Sequence, residues 1–336
     1  LFYVYLPLSA GSTSGFVKDA PIETSILNNI GTMSNRGIEI NTDVDIFRNR
    51  DWKVNFSANA TFTKNKVVKL PSQNKGGLLS GIYKIEEGRS HYSYYLYTFA
   101  GVDQLTGNSL YKANLDDYYV KAADGSIVAG NADGSDVSAF VTEIAGKYYV
   151  NDTKYAKKEY HGSALPKVYG SFSPTVSYKS LTVSALFAYS LGGKVYDSVY
   201  RSLMSTTGTA ANLHQDILKS WIAAPEGMTA ESANRLNANG IPQINNMLSL
   251  NNNAESSRWL VSANYLVLKN LYASYALPKA WTRTVGMQDV RINLSCENLF
   301  TLTKRQGMNP QQSIGGSQLN YLVTPRVVTV GVDVKF

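Results

Sequence analysis

The fold of this chain is decided by the stretch Val328-Thr329-Val330-Gly331-Val332-Asp333-Val334-Lys335-Phe336, which spans 328–336. Valine occupies every second position, and the positions between carry polar, charged or small residues. Because successive side chains of a strand point to opposite faces, a period of two places all the valines on one face. The stretch therefore predicts a β-strand with one apolar face and one polar face.

The same period of two recurs along the chain and predicts ten strands. Strong alternation marks strands at 38–46, 52–62, 181–191, 290–297 and 328–336, and weaker patterns mark strands at 1–8, 91–100, 107–112, 168–178 and 260–277. Pro174 lacks the N–H needed by the ladder, so a bulge is expected there. Lys269 falls on an otherwise apolar face, which predicts a break in register. Several strands have the ~9–11 residues that cross a bilayer when tilted.

The connections between these strands alternate in length. Long connections are expected at 63–90, 113–167, 192–259 and 301–324, and short ones at 47–51, 101–106, 179–180 and 278–287. A soluble sandwich has no reason to sort its connections in this way. An up-and-down transmembrane barrel does, because its turns are short on the periplasmic rim and its loops are long on the extracellular rim. The chain is therefore predicted to be an all-β, antiparallel up-and-down barrel segment of ten strands.

Composition excludes several other classes of protein. The chain has 336 residues, of which 17% are charged, with one Cys and three His. A single Cys forms no internal disulfide, and no zinc cluster of Cys and His is available. The net charge of +7 is scattered, so no nucleic-acid surface is expected. A soluble β-sandwich remains the alternative, because its strands also alternate.

The last strand predicts a role in assembly. Val330, Val332, Val334 and Phe336 share one apolar face at the end of the chain. This pattern resembles the signal by which the outer-membrane assembly machinery recognises barrel proteins. An ordinary soluble edge strand is the alternative, but a flat apolar edge left unpaired is an aggregation hazard. Closure of a barrel removes that hazard.

Motifs spread over most of the chain resemble the SusC/RagA family of TonB-dependent outer-membrane transporters. In chain order they are Asn29-Ile30-Gly31-Thr32-Met33-Ser34-Asn35-Arg36-Gly37-Ile38-Glu39, Asn65-Lys66-Val67-Val68, Gly101-Val102-Asp103 with Thr106-Gly107, Leu165-Pro166-Lys167-Val168-Tyr169-Gly170, Gly192-Gly193-Lys194-Val195-Tyr196-Asp197, Arg258 with Tyr265-Leu266-Val267-Leu268-Lys269-Asn270, and Glu297-Asn298-Leu299-Phe300-Thr301. Each motif alone is weak, but their number, order and spacing make the match specific.

The resemblance implies a C-terminal segment, 1–336, of a barrel of about 22 strands. It implies that the plug and the segment that contacts the TonB complex are missing, and that the chain begins in the middle of a longer protein. The implied partners are a SusD-like surface lipoprotein, the TonB complex, outer-membrane lipid, and a glycan or peptide substrate. The implied location is the outer membrane of a Gram-negative, Bacteroidetes-like bacterium. The implied function is import of a nutrient, an oligosaccharide or a peptide.

Catalytic chemistry is not expected. No catalytic constellation, metal site or cofactor motif is found, so the chain is predicted not to be an enzyme. Charged residues of the polar faces are expected to pair across a water-filled lumen: Glu39, Asp43, Asp45, Glu297 and Asp333 with Lys53, Arg291 and Lys335. Aromatic residues near strand ends would suit interfacial girdles: Trp52, Tyr178, Trp259, Tyr275 and Trp281.

Substrate or lid contact is expected at four tyrosines of one long loop: Tyr118, Tyr119, Tyr148 and Tyr149. Tyrosine rings stack on sugars, but any exposed binding surface is rich in tyrosine, so glycan and peptide stay open. Two other functions also stay open. One is a self-contained outer-membrane barrel that acts as an adhesin or anchor through its long loops, and the other is a soluble secreted β-protein.

Overall fold

The largest element of the structure is a sheet of seven antiparallel strands. The computed structural model describes residues 2–3, 27–28, 31–121, 127–129, 141–207, 212–284, 286–304, 310–311 and 324–336. The strands of this sheet are β1 (Thr32–Arg48), β2 (Trp52–Lys69), β3 (Val168–Tyr178), β4 (Leu181–Leu191), β5 (Tyr265–Ala276), β6 (Asp289–Thr303) and β7 (Val327–Lys335). Each strand pairs with its neighbours in chain order, so the sheet is an up-and-down meander.

Connections within this sheet alternate in length, as the sequence predicts. Residues 49–51, 179–180 and 277–288 connect strands at one edge, and residues 70–167, 192–264 and 304–326 connect them at the other. The last of the short connections contains the helix α4 (Lys279–Thr284). In an antiparallel meander, alternate connections lie at opposite ends of the strands, so all the long connections lie at the same end of the strands. The border of the sheet formed by these strand ends is called the long-loop edge below.

Seven of the ten predicted strands form this sheet. Those at 168–178 and 181–191 have the predicted bounds, and β1, β2 and β6 extend several residues further than predicted toward the long-loop edge. The predicted strand at 260–277 divides into Leu260–Ser262, which lies in a small sheet, and β5. The predicted strand at 1–8 falls mostly outside the described residues, and its described part, Phe2–Tyr3, pairs with Leu27–Asn28.

Two predicted strands lie outside the large sheet. Residues 91–100 and 107–112 form the small strands Ser93–Tyr97, Phe99–Asp103 and Ser109–Lys112, which all belong to the connection 70–167. The predicted loops 63–90 and 113–167 are therefore parts of one long connection, together with the predicted turn at 101–106. Consecutive residues such as Leu110 and Tyr111 are both buried, so packing covers both faces of these strands. A sequence period of two therefore does not distinguish a small strand that is covered on both faces from a strand of the large sheet.

The two predicted irregularities have different outcomes. Lys269 forms a bulge, because the register between β4 and β5 shifts between Leu186 and Phe187, opposite this residue. Pro174 does not cause a bulge: the register of β3 against both neighbours is the same before and after it, and the ladder to β4 only omits the pairs of Ser173 and Pro174. A missing N–H removes a hydrogen bond without requiring an extra residue.

The first two long connections fold into a layer of small sheets that is called the loop body (described residues of 70–167 and 192–264). Its strands are Leu78–Ser80, Tyr83–Ile85, Ser93–Tyr97, Phe99–Asp103, Ser109–Lys112, Tyr119–Lys121, Ile127–Ala129, Val141–Ile144, Lys147–Val150, Lys158–Ser163, Lys194–Tyr196, Leu236–Asn237 and Leu260–Ser262. Its helices are α1 (Leu115–Tyr118), α2 (Ser198–Leu203) and α3 (Ser249–Asn252), with 3₁₀ turns at Ser72–Asn74, Thr153–Tyr155, Gln215–Lys219 and Ser257–Trp259.

The loop body has its own hydrophobic core, to which both connections contribute. Tyr94, from the first connection, is fully buried in one cluster with Trp259, from the second, which is 1% exposed. Tyr111 is fully buried in another cluster with Ala254. Strand Phe99–Asp103 also pairs with Leu236–Asn237 across the two connections. The buried aromatic rings therefore join the two connections into one packed unit.

In the part of the chain that the structure describes, every helix is too short or too polar to cross a membrane.

Candidate functional site

The large sheet has one apolar and one polar face that continue from strand to strand. One row across the sheet is Val54, Val176, Val183, Ala273, Leu294 and Val330. The adjacent row, on the other face, is Asn55, Thr175, Ser184, Tyr272, Ser295 and Thr329. Apolar side chains stay open to solvent, with Val330 67% exposed and Ile38 66% exposed. Such a sheet has a face that needs an apolar medium and a face that needs water.

The height of the apolar face matches the hydrocarbon layer of an outer membrane. On β2 this face runs from Trp52 to Phe62. At ~3.4 Å per residue these ten steps span about 34 Å along the strand, and a tilt of ~40° reduces the height to about 26 Å. The apolar band of outer-membrane barrels is ~25 Å tall. Near mid-height, Phe172 and Phe187 stack with their ring centroids 4.8 Å apart.

The five aromatic residues predicted to form interfacial girdles lie in different parts of the structure. Trp52, Tyr178 and Tyr275 lie in a single row at the end of the sheet that carries the short connections, with the rings of Trp52 and Tyr178 4.4 Å apart. Trp281, in α4, is 66% exposed at the same edge. Trp259 does not belong to a girdle: it is 1% exposed in the core of the loop body, where its indole N–H donates to the Ala254 carbonyl at 2.8 Å.

The predicted charge pairs of the polar face are formed only in part. Lys53 lies 3.5 Å from Asp45 and is the one predicted cation within 4 Å of a predicted carboxylate among the described residues. Asp43 and Asp45 both accept hydrogen bonds from Asn55. Asp333 lies opposite Arg291 across the β6–β7 ladder and accepts from Asn293. The polar face is therefore held by amide–carboxylate hydrogen bonds as much as by ion pairs.

A cavity of about 950 Å³ lies on the polar face, at the long-loop edge. Its side walls come from β1–β5 and its roof from the loops. The lining residues on the strands are Asn35, Arg36, Gly37, Glu39, Thr61, Thr63, Lys64, Asn65, Tyr169, Gly170, Tyr189, Ser190 and Tyr265, and those in the connections are Ala164, Leu165, Pro166, Gly193, Ala263, Pro310 and Gln311. Its volume lies at the upper end of the ~300–1,000 Å³ typical of ligand sites.

The cavity offers aromatic rings and hydrogen-bonding groups together. Glu39, Thr61, Tyr169, Ser190 and Tyr265 form one continuous row across five strands. Tyr169 is 42% exposed, so its ring is open to a ligand. Among the described residues, no cation lies within 4 Å of the exposed Glu39 carboxylate. This combination suits a polar ligand with flat or apolar parts, such as a peptide or a sugar chain.

Asn65 fixes the cavity wall to the loop body. Its amide donates to the Asn35 side chain at 2.7 Å, and its oxygen accepts from the His91 main-chain N–H at 2.8 Å. The Thr63 hydroxyl donates to the Pro166 carbonyl at 3.3 Å. The motif that begins at Asn65 and the motif that contains Pro166 thus both take part in joining β2 to the loops. These bonds preorganise the upper wall of the cavity.

The Gly101–Gly107 motif forms the central clamp of the loop body. Asp103 is 1% exposed, and its two carboxylate oxygens accept from Nε and Nη2 of Arg235 at 2.9 and 3.0 Å. It also accepts from the Leu105 N–H and the Thr106 hydroxyl. Burial by itself would raise the pKa of Asp103, but the hydrogen bonds from Arg235, Leu105 and Thr106 outweigh it, and the pKa is lowered.

Gly107 is required by the same clamp. Its φ of +73° lies in the left-handed region, and a Cβ there would overlap the ring of Trp221. The Trp221 indole N–H in turn donates to the Gln104 carbonyl at 3.0 Å. Arg235 and Trp221 both come from the second long connection, so the motif joins the two connections. Its role is to hold the loop body together, which the sequence alone does not show.

The four tyrosines predicted to contact ligand belong to the loop body. Tyr148 is half-buried and packs against the cluster of Tyr111 and Val150. Tyr149 is half-buried and pairs with Lys112. The side chains of Tyr118 and Tyr119 lie outside the described residues. The residues of the predicted assembly signal lie on the edge strand β7 or directly after it, with Val332 59% exposed and Phe336 78% exposed.

Five strongly exposed apolar side chains lie on two segments of the second long connection and were not predicted from the sequence. They are Leu218 (83% exposed), Ile222 (87%), Ile244 (57%), Met247 (93%) and Leu250 (80%). The two segments that carry them are joined where the Trp221 N–H donates to the Ile241 carbonyl at 2.9 Å. We call these five residues the apolar loop surface. Leu218 and Ile222 are four residues apart, and Ile244, Met247 and Leu250 are three apart, but they lie outside regular elements long enough for this spacing to predict one exposed face.

The tyrosines of the cavity were also missed, although the sequence carries a signal for them. Tyr169 and Tyr265 occupy polar-face positions of β3 and β5. A large aromatic residue at a position where its strand is otherwise polar is the signal. Tyr169 and Tyr265 lie in one row because both pair with Ser190 of β4, the strand between them.

Curated proteins of similar sequence are TonB-dependent receptors. The TonB-dependent receptor P3 of Formosa agariphila is 25% identical over 333 residues, which cover 93% of this chain and 30% of the receptor. The TonB-dependent receptor P39 of the same organism is 23% identical over 353 residues, covering 94% of this chain and 32% of the receptor. The chain thus spans about a third of the length of these relatives. No protein-family model matches it.

Solved structures with the same fold include the RagAB peptide transporter, with a TM-score of 0.66 and 24% identity over 93% of this chain and 30% of that chain. The RagAB peptide importer in the 'closed-closed' and 'open-open' states has TM-scores of 0.65 and 0.62, with the same identity and coverage. The predicted all-β fold and the predicted likeness to SusC/RagA-type TonB-dependent proteins are confirmed. The names of these relatives describe receptors and transporters, in agreement with the prediction that the chain is not an enzyme.

Proposed function

We propose that this SusC/RagA-like chain forms part of the wall and the extracellular loops of a TonB-dependent outer-membrane transporter that imports a peptide or an oligosaccharide. The observation that carries the proposal is the large sheet, whose opposite faces are apolar and polar across all seven strands and whose long connections share one edge. On this proposal the apolar face contacts lipid, the polar face lines the lumen, and the loop body lies outside the cell.

The location follows from the same assignment. A sheet whose apolar face is about 26 Å tall belongs in a bilayer, and strands rather than helices cross the outer membrane of Gram-negative bacteria. The similarity to receptors of Formosa agariphila supports a bacterium of that kind as the source. We propose that energy reaches the transporter from the TonB complex through parts that the rest of the complete gene product supplies.

The cavity on the polar face is the proposed substrate site. It lies where a lumen would open to the outside, and it combines the Tyr169 and Tyr265 rings with the Glu39 carboxylate and several hydroxyl and amide groups. Rings contribute ~0.5–1.5 kcal/mol each beyond the area they bury, and the polar groups orient the ligand. Tyr149, half-buried at the surface of the loop body, remains a proposed outer contact together with Tyr118, Tyr119 and Tyr148.

Removing a ring from this cavity is expected to weaken uptake. In a strain that depends on the complete gene product, the Tyr169→Ala variant should raise the half-saturating substrate concentration about tenfold, because one stacking surface is lost. The probes are a labelled tryptic digest of casein and a labelled starch hydrolysate, supplied separately. Whichever probe the parent protein takes up names the substrate class.

The matched control is Tyr178→Ala, on the same strand, of similar exposure, and on the apolar face. It should leave uptake within about twofold. Equal effects of Tyr169→Ala and Tyr178→Ala would place the substrate site elsewhere, and uptake of neither probe would contradict the proposed import of a peptide or an oligosaccharide.

The apolar loop surface is the proposed contact for a SusD-like surface lipoprotein. Monomeric proteins rarely leave so many large apolar side chains almost fully open, and such patches mark sites of protein contact. Met247, Ile222 and Leu250 are each at least 80% exposed on loops that the proposal places outside the cell. A lid over the cavity would have to rest on this layer of the molecule.

A charge within this surface is expected to break the contact. Met247→Asp should lower the amount of lipoprotein that copurifies with the complete gene product at least about tenfold, because central apolar contacts carry ~2 kcal/mol or more. The control Asn246→Asp introduces the same charge at the neighbouring exposed residue and should copurify normally. Unchanged copurification of the Met247→Asp variant would show that the lipoprotein binds elsewhere.

A further inference from the structure

On β1 and β2, basic residues follow the apolar residues of the same face toward the long-loop edge. The last apolar pair of β1 and β2 on this face is Ile38 with Phe62. The next pair on the same face is Arg36 with Lys64, followed by Ser34 with Lys66. The register between the two strands is unbroken from Met33 to Asp45, so strand alternation directs Arg36, Lys64 and Lys66 to the same side as the apolar residues. We call these three residues the basic edge.

The basic edge is not neutralised by the protein. All three residues are exposed. The ion pairs within 4 Å among the described residues involve other cations. β2 contains no Asp or Glu, and the carboxylates of β1, at Glu39, Asp43 and Asp45, occupy positions of the opposite face. The carboxylates of this hairpin therefore all lie on the face opposite Arg36, Lys64 and Lys66.

The position of the basic edge fits the polar boundary of a bilayer. Residues two apart on a strand face the same side and lie ~7 Å apart along it. Arg36 and Lys64 are therefore one such step beyond Ile38 and Phe62, and Lys66 is two. The polar region of a bilayer occupies ~5–7 Å beyond the hydrocarbon on each side, and long basic side chains reach across such distances. The side chains thus lie at the level of lipid headgroups.

Phosphate is the headgroup chemistry that these residues recognise. A guanidinium binds two phosphate oxygens at once, and ammonium groups add point charges at either side. Each Lys or Arg near an anionic lipid surface contributes ~1 kcal/mol of attraction. A protein partner is less suited to this position, because the surface directly below the basic edge is the continuous apolar face that requires lipid.

We propose that Arg36, Lys64 and Lys66 bind the phosphate groups of an anionic lipid headgroup in the leaflet next to the long loops. The proposal rests on the proposed function in one respect, since it requires the apolar face to lie in a bilayer. It assigns a role to the extension of β1 and β2 beyond the apolar band. Lipid held there would anchor the hairpin whose opposite face carries Asn35, Glu39 and Asn65 of the cavity.

The test uses the complete gene product inserted into nanodiscs of phosphatidylcholine with a minor fraction of phosphatidic acid. Native mass spectrometry counts the phosphatidic acid molecules retained after release from the disc. The variant Arg36→Gln/Lys64→Gln/Lys66→Gln should retain at least about tenfold less phosphatidic acid than the parent. The control Lys75→Gln/Lys147→Gln/Lys154→Gln removes the same charge from exposed positions of the loop body and should retain as much as the parent.

Four other results would contradict the lipid site or the proposed function. Equal retention by the parent and the basic-edge variant overturns the proposal. Loss of retention in both triple variants also overturns it, because the effect is then one of net charge. Inorganic phosphate that binds the parent in pure phosphatidylcholine discs, and displaces the retained lipid at millimolar concentration, would show a site for a soluble anion instead. Failure of the parent to insert into discs contradicts the proposed function itself, whereas insertion without selective retention contradicts only the lipid site.

Discussion

Replacing Asp103 by Asn is expected to destabilise the loop body by about 3–5 kcal/mol, because it leaves the Arg235 guanidinium buried without its counter-charge. The side chains of Arg235 and Asp103 are only 11% and 2% exposed. An amide offers one acceptor oxygen in place of two, so the paired hydrogen bonds from Arg235 cannot both be kept. The Leu105 N–H now donates to Oδ1 and the Thr106 hydroxyl to Oδ2, so in the variant both would also compete for the single amide oxygen.

Hydrogen exchange on the detergent-solubilised complete gene product measures this effect. Amides of strands Phe99–Asp103 and Leu236–Asn237, which the clamp joins, should exchange at least about a hundredfold faster in the Asp103→Asn variant. The control Asp116→Asn removes an exposed partner of Lys157 and should change exchange little, since exposed pairs contribute at most ~1 kcal/mol. Equal protection in the Asp103→Asn variant and the parent would show that the clamp does not hold the two connections together.

The same pair makes the loop body sensitive to acid. The pKa of Asp103 is lowered in the folded protein, so its contribution is fully present above the ordinary carboxyl pKa of about 4. That contribution is lost as the pH falls below this value, because the unfolded state then binds a proton that the folded state does not. The expected signs are lower protection factors of these amides near pH 3 than near pH 6 in the parent, each measured relative to unstructured peptide at the same pH, and a smaller acid effect in the Asp103→Asn variant.

The variant Ala185→Arg is expected to destabilise the protein in a bilayer by about 2–4 kcal/mol, the cost of a cation at the lipid face near mid-depth. Ala185 pairs with Leu271 near the middle of the apolar face, four residues from Leu181 in the row of Trp52 and six from Leu191 in the row of Phe62. The guanidinium there would have to reach a distant interface or draw water into the hydrocarbon.

Its control is the adjacent residue. Ser184→Arg places the same side chain on the polar face, where Ser184 bonds to Thr175 at 3.1 Å, and should cost about 1 kcal/mol or less. Urea unfolding in lipid vesicles, followed by heat-modifiable gel mobility, compares the two variants. A larger cost for Ser184→Arg than for Ala185→Arg would reverse the assignment of the faces, and equal small costs would contradict a lipid-facing sheet.

Strand prediction was most accurate where one face of a strand is apolar and the other is polar. Strands β3 and β4 have their predicted bounds, and β7 lies within one residue of its predicted bounds at each end. In these strands nearly every second residue is apolar, and these residues stay exposed or partly exposed on one face of the sheet. Lys269 was recognisable for the same reason, because a cation on an apolar face requires an extra residue in the strand.

Prediction was less accurate where the loops pack against each other. Tyr94 and Tyr111 lie in segments whose alternation predicted strands of the barrel, yet both side chains are fully buried under neighbouring loops. Trp259 reads as an interfacial aromatic residue in the sequence and is a core residue in the structure. In each case the partner that buries the residue comes from a distant part of the chain, and a local pattern carries no record of that partner.

The sequence by itself determined that this chain is a meander of strands with one apolar face and one polar face and with long connections at one edge, because these properties depend on local alternation and on distances along the chain. Tertiary structure alone decided that two of the long connections fold into one loop body clamped by Asp103 and Arg235, that Tyr169 and Tyr265 share a cavity, and that Arg36, Lys64 and Lys66 form one edge. The physical reason is that strand register and side-chain packing join residues far apart in sequence, and neither can be read from a single strand.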